Sequence, residues 1–180
     1  MKFKKTKIAG SWVVYLDQID DERGFFARAW CRKEFASRGI SSELAQANLS
    51  FSQRAGTFRG MHFQRAPHEE MKMVRCLHGA IFDVVLDLRP DSPTYCQWHG
   101  EELTSNNRRM LVVPEGCAHG FQTLEASTEV FYLVSEAYVP ESESGVRWDD
   151  PTFNLRWPLP ISEISKRDSE FQDFKSEVEI

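Results

Sequence analysis

Short hydrophobic segments, separated by turn residues, recur along most of the chain. Within 44–52, the polar side chains Gln46, Asn48 and Ser50 alternate with apolar ones, which is typical of a strand with one polar face. One helix is predicted, at 31–38. The predicted strands are 8–17, 25–30, 44–52, 57–64, 71–77, 80–88, 94–103, 110–113, 119–124 and 128–135. Many short strands with almost no helix between them predict an all-β antiparallel sandwich or barrel.

Ionisable side chains interrupt the apolar segment 56–85, around which the other strands would pack. Arg59, His62, Lys72 and Asp83 occupy strands that otherwise read as core, where charge is costly unless it is paired or used. They predict a pocket for an anionic substrate. Arg59 and His62 are three positions apart, so on a regular strand their side chains would point to opposite faces. Both reach one pocket only if the glycine after Arg59 marks a bulge or kink.

Composition narrows the class of protein. The 180 residues predict one domain over 1–180. Its acidic, amphipathic C-terminal segment (167–180) has two alternatives, a short helix or a frayed tail that is mobile from about 169. A net charge of −5 with dispersed basic residues argues against nucleic-acid binding. The apolar run 12–16 is too short for a signal-peptide core, and no stretch approaches the ~20 apolar residues of a membrane span. We therefore expect a cytoplasmic protein.

A PxGxxH pattern links Pro114, Gly116 and His119. The proline and glycine make a tight turn, and the histidine follows on the next strand. This resembles the second motif of the cupin superfamily, whose jelly-roll barrels often bind a metal. The first cupin motif would supply an HxH pair, whereas this chain has HFQ from His62. Two histidines are too few for a stable metal site, so we expect no metal; the alternative is a metal-dependent cupin such as a dioxygenase or isomerase.

Several short blocks extend this resemblance over nearly the whole chain. In order they are DERGFF (21–26), QANLS (46–50), FRGMHFQ (58–64), KMVRC (72–76), FDVVLDLR (82–89), SPT (92–94), PEGCAHGFQTL (114–124), SGVRWDDP (144–151) and RWP (156–158). At this spacing the chain resembles the dTDP-4-dehydrorhamnose 3,5-epimerase family. The resemblance implies a cupin-type jelly-roll barrel (a double-stranded β-helix) with few short helices, no metal and no cofactor.

The resemblance also implies roles for individual residues. His62 would be the general base, Asp168 would pair with it, and Tyr132 would donate a proton from the opposite face of the sugar. Tyr138 would stack on thymine. The remaining substrate contacts would be Arg23, Gln46, Asn48, Arg59, Lys72, His119, Glu143 and Arg167, the last replacing the family's lysine.

The implied substrate is a nucleotide-linked 4-keto-6-deoxyhexose, dTDP-4-dehydro-6-deoxy-D-glucose, and the product dTDP-4-dehydro-L-rhamnose. Its hydrogens at C3 and C5 are both alpha to a carbonyl, so removal of either gives an enolate. Histidine suits abstraction near neutral pH. A cation such as Lys72 would stabilise the oxyanion at C4, and arginines grip diphosphate oxygens.

Two positions depart from the family pattern: Arg28 stands where a glutamate is usual, and Glu70 where a glutamine is usual. They leave the nucleotide and the sugar open. Alternatives are a mono-epimerase at C3 or C5, a ketoisomerase, or a sugar-nucleotide-binding module without catalysis. The resemblance implies a homodimer that exchanges an N-terminal strand, for which 11–16 is the candidate. By the same resemblance, the product serves deoxysugar synthesis for polysaccharide.

Overall fold

A computed structural model describes residues 1–40 and 43–175 of the protein. In chain order its elements are β1 (Lys2–Lys5), β2 (Trp12–Tyr15), β3 (Gln18–Asp21), β4 (Gly24–Ala27), α1 (Arg32–Ala36), β5 (Gln46–Ser52), β6 (Thr57–Gln64), β7 (Lys72–His78), β8 (Ala80–Asp87), β9 (Trp98–Thr104), β10 (Met110–Val113), β11 (Cys117–Thr123), β12 (Thr128–Val134), β13 (Glu143–Gly145), β14 (Glu163–Ile164) and α2 (Lys166–Ser169). Neither helix in these ranges has the length and apolar character needed to cross a membrane.

The strands form two main sheets. The first has the order β1-β2-β10-β7-β12-β5, and the second has the order β13-β6-β11-β8-β9, with β14 parallel to β6. From β5 to β8 each successive strand changes sheet, and β10, β11 and β12 do so again. This repeated crossing between antiparallel sheets produces a cupin-type jelly-roll barrel. The predicted fold class is confirmed.

The hydrophobic core lies between the two sheets. Its buried residues include Val74, Leu111 and Val130 from the first sheet and Ile81, Val85 and Phe121 from the second. Along β7, Val74 and Cys76 face this core, and Lys72, two residues earlier on the same face, lines a cavity instead. One face of β7 therefore supplies side chains both to the hydrophobic core and to the polar cavity beside it.

The first 30 residues differ from the predicted pattern. The strand predicted at 8–17 is only β2, because a turn in which the Ser11 amide donates to the Ile8 carbonyl over 3.1 Å reverses the chain after β1. The acidic segment between the predicted strands 8–17 and 25–30 forms β3, which pairs with β4 in a hairpin that sets Gln18 opposite Ala27. Acidic residues are rare in strands, which explains why the pattern did not indicate β3.

Two later parts of the chain also differ. The strand predicted at 94–103 begins at Trp98, because the hydroxyls of Ser92 and Thr94 donate to the Asp87 carboxylate over 2.5 and 2.6 Å and hold that segment in a turn. Strands β13 and β14 were not predicted, and helix α2 lies at the start of the C-terminal segment for which a short helix was one alternative. All three are two to four residues long, too short to show a periodic pattern.

Candidate active site

A cavity of about 1110 Å³ opens between the two sheets where the apolar core ends. Strands β5, β7 and β12 line it from the first sheet, and β6 and β11 line it from the second. The sequence-predicted residues in its wall are Gln46, Asn48, Arg59, His62, Lys72, His119, Tyr132, Tyr138, Glu143, Arg167 and Asp168. Of the residues to which the resemblance assigns roles, the fold brings all but Arg23 into the cavity wall. Asp83, which the pattern of charged residues also indicated, does not line the cavity and contacts His119 instead.

Arg59 and His62 reach the cavity together through an irregularity in β6. On β11 a single residue, Gly120, lies between the partners of Arg59 and His62, so two residues of β6 oppose one. Gly60 has a φ of +137°, and a Cβ at this position would lie 2.4 Å from the Gly120 Cα. The bulge or kink predicted at this glycine is confirmed.

His62 is held by Asp168. Their contact joins His62 Nε2 to Asp168 Oδ1 at 2.8 Å, and the second carboxylate oxygen accepts from the Gly60 amide at 3.2 Å. Burial opposes ionisation of Asp168, but the hydrogen bonds from His62 and Gly60 outweigh it and lower the pKa of Asp168 to about 2. An ionised carboxylate only accepts, so Nε2 carries a proton, and in the neutral imidazole Nδ1 has the lone pair. This tautomer allows His62 to take up a proton at Nδ1.

Local structure at the end of the chain places Asp168. Strand β14 pairs with the start of β6, and Ser165 directly after it is the N-cap of α2, accepting from the Asp168 amide at 3.0 Å. Asp168 is buried although its neighbours in α2 are exposed. The short helix therefore turns one carboxylate inward, toward His62.

Tyr132 lies on the opposite wall of the cavity, on β12. Burial, followed by the negative charge of Glu70, raises the pKa of Tyr132 above its ordinary value. The phenol is therefore protonated at neutral pH and able to donate. Because β12 and β6 belong to different sheets, Tyr132 and His62 approach the cavity from opposite sides.

Two contacts to carboxylates support the cavity wall, one made by Lys72 and one by His119. Lys72 Nζ is 3.0 Å from a carboxylate oxygen of Glu70, and His119 Nε2 is 2.7 Å from Asp83 Oδ1. Burial raises the pKa of Asp83, an effect that His119 opposes. Glu70, noted in the sequence as a departure, is therefore a cavity residue whose charge partly offsets that of Lys72.

A hydrogen-bonded chain crosses the rim of the cavity. The Tyr138 hydroxyl and the Arg167 guanidinium both donate to Glu143 over 2.7 Å, and the Tyr138 amide donates to Gln46 over the same distance. Arg167 Nη2 lies 3.3 Å from His62 Nε2. Arg167 thus brings a fixed positive charge beside the His62–Asp168 pair and links it to the rim.

The alternation predicted for β5 is confirmed, because Gln46, Asn48 and Ser50 line the cavity while Leu49 and Phe51 are exposed on the other face. Additional lining comes from the segment between Ile161 and Ser165, which sequence reasoning missed. No residue type or spacing in that segment pointed to a ligand.

The structure does not place Arg23 in the cavity of its own chain. Arg23 sits at the exposed end of the β3–β4 hairpin, where it pairs with Asp21 at 2.5 Å. Arg28, the other departure, pairs with Glu34 at 3.3 Å and does not line the cavity either. Of the two departures, only Glu70 lies beside the site residues within one chain.

The same side chains bear on the question of metal binding. His62 and His119 are neighbours across β6 and β11, but each binds a carboxylate instead of sharing a third ligand. Among residues 1–40 and 43–175, no group of three or more His, Cys, Asp or Glu side chains is arranged to hold a metal ion.

Comparison with known proteins matches the chain to a family. The family model described as dTDP-4-dehydrorhamnose 3,5-epimerase matches residues 5–176. The chain belongs to the dTDP-4-dehydrorhamnose 3,5-epimerase family. It is 40% identical to the enzyme of that name from Sinorhizobium fredii, over 94% of this chain and 87% of the relative.

Two further relatives of this epimerase family bear on the substrate. The chain is 40% identical to a dTDP-4-dehydrorhamnose 3-epimerase from Streptomyces niveus, over 94% of this chain and 82% of the relative. A crystal structure of the 3,5-epimerase from Bacillus anthracis, with TDP and PPi bound, superimposes with a TM-score of 0.92 at 38% identity, over 96% of this chain and 99% of that one. Relatives of this chain thus include enzymes named as 3,5-epimerases and an enzyme named as a 3-epimerase.

Proposed function

We propose that the protein inverts C3 and C5 of dTDP-4-dehydro-6-deoxy-D-glucose and so forms dTDP-4-dehydro-L-rhamnose. The observation that carries this proposal is the placement of the His62–Asp168 pair and Tyr132 on opposite walls of one cavity. Inversion at a carbon alpha to a ketone requires a base on one face and an acid on the other. Family membership supports the same reaction.

Each inversion takes two proton transfers. His62 Nδ1 removes the proton from C3 or C5, and the electron pair of the C–H bond moves into an enolate whose charge lies on the C4 oxygen. Asp168 stabilises the resulting imidazolium through Nε2. Tyr132 then donates its hydroxyl proton to the opposite face of the same carbon. Exchange with solvent restores both residues before the next turnover.

Lys72 is the cation we assign to the enolate oxygen. It is buried in the cavity wall, where an ionic contact is worth more than in bulk water. Its contact with Glu70 holds the ammonium in position and also offsets part of its charge. His119, supported by Asp83, lies on β11 directly opposite His62 of β6 and completes the polar wall.

The rim residues would bind the nucleotide. Arg59 and Arg167 supply positive charge for the diphosphate, and Tyr138, with its side chain about half exposed, offers an aromatic surface for the base. The Arg59 side chain is directed by bonds to Ser52 and to the Phe51 carbonyl. The related enzyme from Bacillus anthracis, solved with TDP, supports a thymidine nucleotide.

A second candidate is a mono-epimerase that inverts C3 alone. The 40% identity to the 3-epimerase from Streptomyces niveus equals the identity to the 3,5-epimerase from Sinorhizobium fredii. The same base and acid serve either reaction, because both carbons flank one carbonyl.

A homodimer is the expected assembly, in the cytoplasm. Large apolar side chains are exposed on β5 and on the β3–β4 hairpin, including Leu49, Phe51 and Phe26. A second copy would cover them, and β5 is an edge strand open to such contact. Sedimentation equilibrium of wild type and Leu49→Asp tests this assembly: a dimer that the variant converts to a monomer supports it, and a wild-type monomer contradicts it.

The function is tested by proton NMR of dTDP-4-dehydro-6-deoxy-D-glucose with the enzyme in deuterated water. We expect deuterium at both C3 and C5, and loss of this exchange in His62→Ala. Exchange at C3 alone would support the mono-epimerase. Absence of exchange by the folded wild-type enzyme would contradict both.

A further inference from the structure

Phe171 lies three residues after Asp168 and packs against the same histidine. The centres of the Phe171 and His62 rings are 6.1 Å apart, with an angle of 71° between the ring planes. We propose that Phe171 is a positioning residue, which fixes the plane of the His62 ring for proton abstraction. This inference rests on the proposed function of His62 as the base.

The geometry of the His62 side chain shows why a second contact is needed. The hydrogen bond to Asp168 fixes one ring atom, Nε2, but leaves the ring able to tilt about the line from that atom to the backbone. Rotation about the terminal torsion of histidine is broad and weakly restricted. An edge-to-face contact with Phe171 limits the tilt, and so directs the lone pair on Nδ1.

Gly145 provides the space that Phe171 occupies. This glycine is the β13 partner of His62 in the strand register. A Cβ on Gly145 would lie 2.3 Å from Phe171 Cζ, so any larger residue would push the ring out of its place. The aromatic ring therefore fills a gap beside His62 that the absence of a side chain creates.

The segment after Phe171 is anchored independently of the cavity. Asp173 pairs with Arg147 at 2.8 Å, the Phe174 amide donates to Asp150 at 2.5 Å, and the Phe174 ring packs on Phe153 with centres 5.0 Å apart. These contacts hold the chain directly after residue 172, on the C-terminal side of Phe171. The Asp173 ion pair and the bond from the Phe174 backbone amide do not involve the Phe174 ring, so they keep Phe171 in place when that ring is truncated.

The experiment compares Phe171→Ala with two other variants. Phe174→Ala is the matched control, because it removes an aromatic ring from the same segment without touching His62. Phe171→Leu keeps most of the apolar volume and serves as the conservative variant. We expect the kcat of Phe171→Ala to fall about tenfold or more with little change in KM, since small errors in the placement of a reacting group cost up to ~10²-fold. The two other variants should stay within about threefold of wild type.

A spectroscopic readout separates positioning from general stability. Nitrogen-15 NMR of the His62 ring reports its tautomer and its motion without any substrate. Phe171→Ala should shift or broaden the His62 signals, and Phe174→Ala should leave them unchanged even if both variants lower Tm.

The possible results separate this inference from the proposed function. Equal loss of activity in Phe171→Ala and Phe174→Ala, or unchanged His62 signals in Phe171→Ala, would overturn the positioning role. If the wild-type enzyme exchanges no deuterium, the proposed function fails, and the His62 signals still decide whether Phe171 fixes the ring.

Discussion

Asp168 Oδ1 lies 2.8 Å from His62 Nε2 although 106 residues separate them in the chain. His62 is on a central strand of the second sheet, and Asp168 is on a four-residue helix that follows the short strand β14. The parallel pairing of β14 with β6 carries the end of the chain back to the cavity. The orientation of the proposed base therefore depends on the C-terminal segment.

Replacing Asp168 by Asn should reduce kcat by about 10² to 10⁴-fold with little change in KM. The amide is nearly isosteric but carries no charge to stabilise the imidazolium, and its NH₂ group can bind the wrong histidine tautomer. Steady-state kinetics check this. Asp173→Asn is the control, because it changes a carboxylate of the same segment that pairs only with Arg147 among the ionic contacts of the described residues. Equal kcat in the wild type and Asp168→Asn would contradict the assigned role.

Replacing Tyr132 by Phe should separate exchange from inversion. His62 can still remove a proton and return one to the same face, so deuterium should still enter C3 or C5. The inverted product should form about 10²-fold more slowly, because the acid on the opposite wall is missing. NMR of exchange and product in one sample measures both rates.

Tyr15→Phe is the matched control for this change. Tyr15 packs against the same core cluster as Tyr132 but does not line the cavity. Unchanged inversion in Tyr132→Phe would assign proton donation to another group.

Replacing Glu70 by Gln should raise kcat/KM about threefold to tenfold, which corresponds to about 0.7 to 1.4 kcal/mol. The amide oxygen can still accept from Lys72, whereas removal of the carboxylate leaves more positive charge for the enolate oxygen and the diphosphate. Glu69→Gln is the control, because Glu69 does not line this cavity. A fall in kcat with Glu70→Gln alone would mean that the carboxylate itself takes part in the reaction.

Sequence reasoning recovered the parts of this site that strand alternation encodes. Side chains alternate between the two faces of a strand, which predicts the polar face of β5. The same alternation would put Arg59 and His62 on opposite faces of β6, which is why a bulge at Gly60 could be predicted. Asp168 was found only through resemblance, because nothing in the residues around a four-residue helix predicts a partner 106 positions away.

Other features depend on contacts that no local pattern contains. The pairing of Glu70 with Lys72 arises where a loop enters β7, and the ring of Phe171 fills space left by Gly145. The exposed position of Arg23 follows from the β3–β4 hairpin, whose acidic first strand was not among the predicted strands. Such placements follow from tertiary packing rather than from local propensity.

Asp87 predicts how stability should change in acid. Burial opposes ionisation of Asp87, but hydrogen bonds from Arg89, Ser92 and Thr94 outweigh it and lower the pKa to about 2. In the unfolded chain an aspartate takes up a proton near pH 3.9, so between pH 4 and pH 2 the unfolded state binds more protons than the native state. Asp87 therefore stabilises the protein above pH 4 and loses this contribution as the pH falls through 2.

The loss attributable to Asp87 is about 3 kcal/mol, since its pKa of about 2 lies about two units below that of an unfolded aspartate and one unit corresponds to 1.36 kcal/mol. Urea unfolding from pH 6 to pH 2 should show Asp87→Asn to be less stable than wild type at pH 6, with a difference that shrinks toward pH 2. Asp20→Asn, which changes an exposed carboxylate of β3, is the control: its free energy of unfolding should vary with pH as that of the wild type does. Because Asp87 does not line the cavity, the folded variant should keep its activity at pH 7. Parallel stability curves for wild type and Asp87→Asn across this range would show that the native Asp87 carboxylate titrates as it does in the unfolded chain.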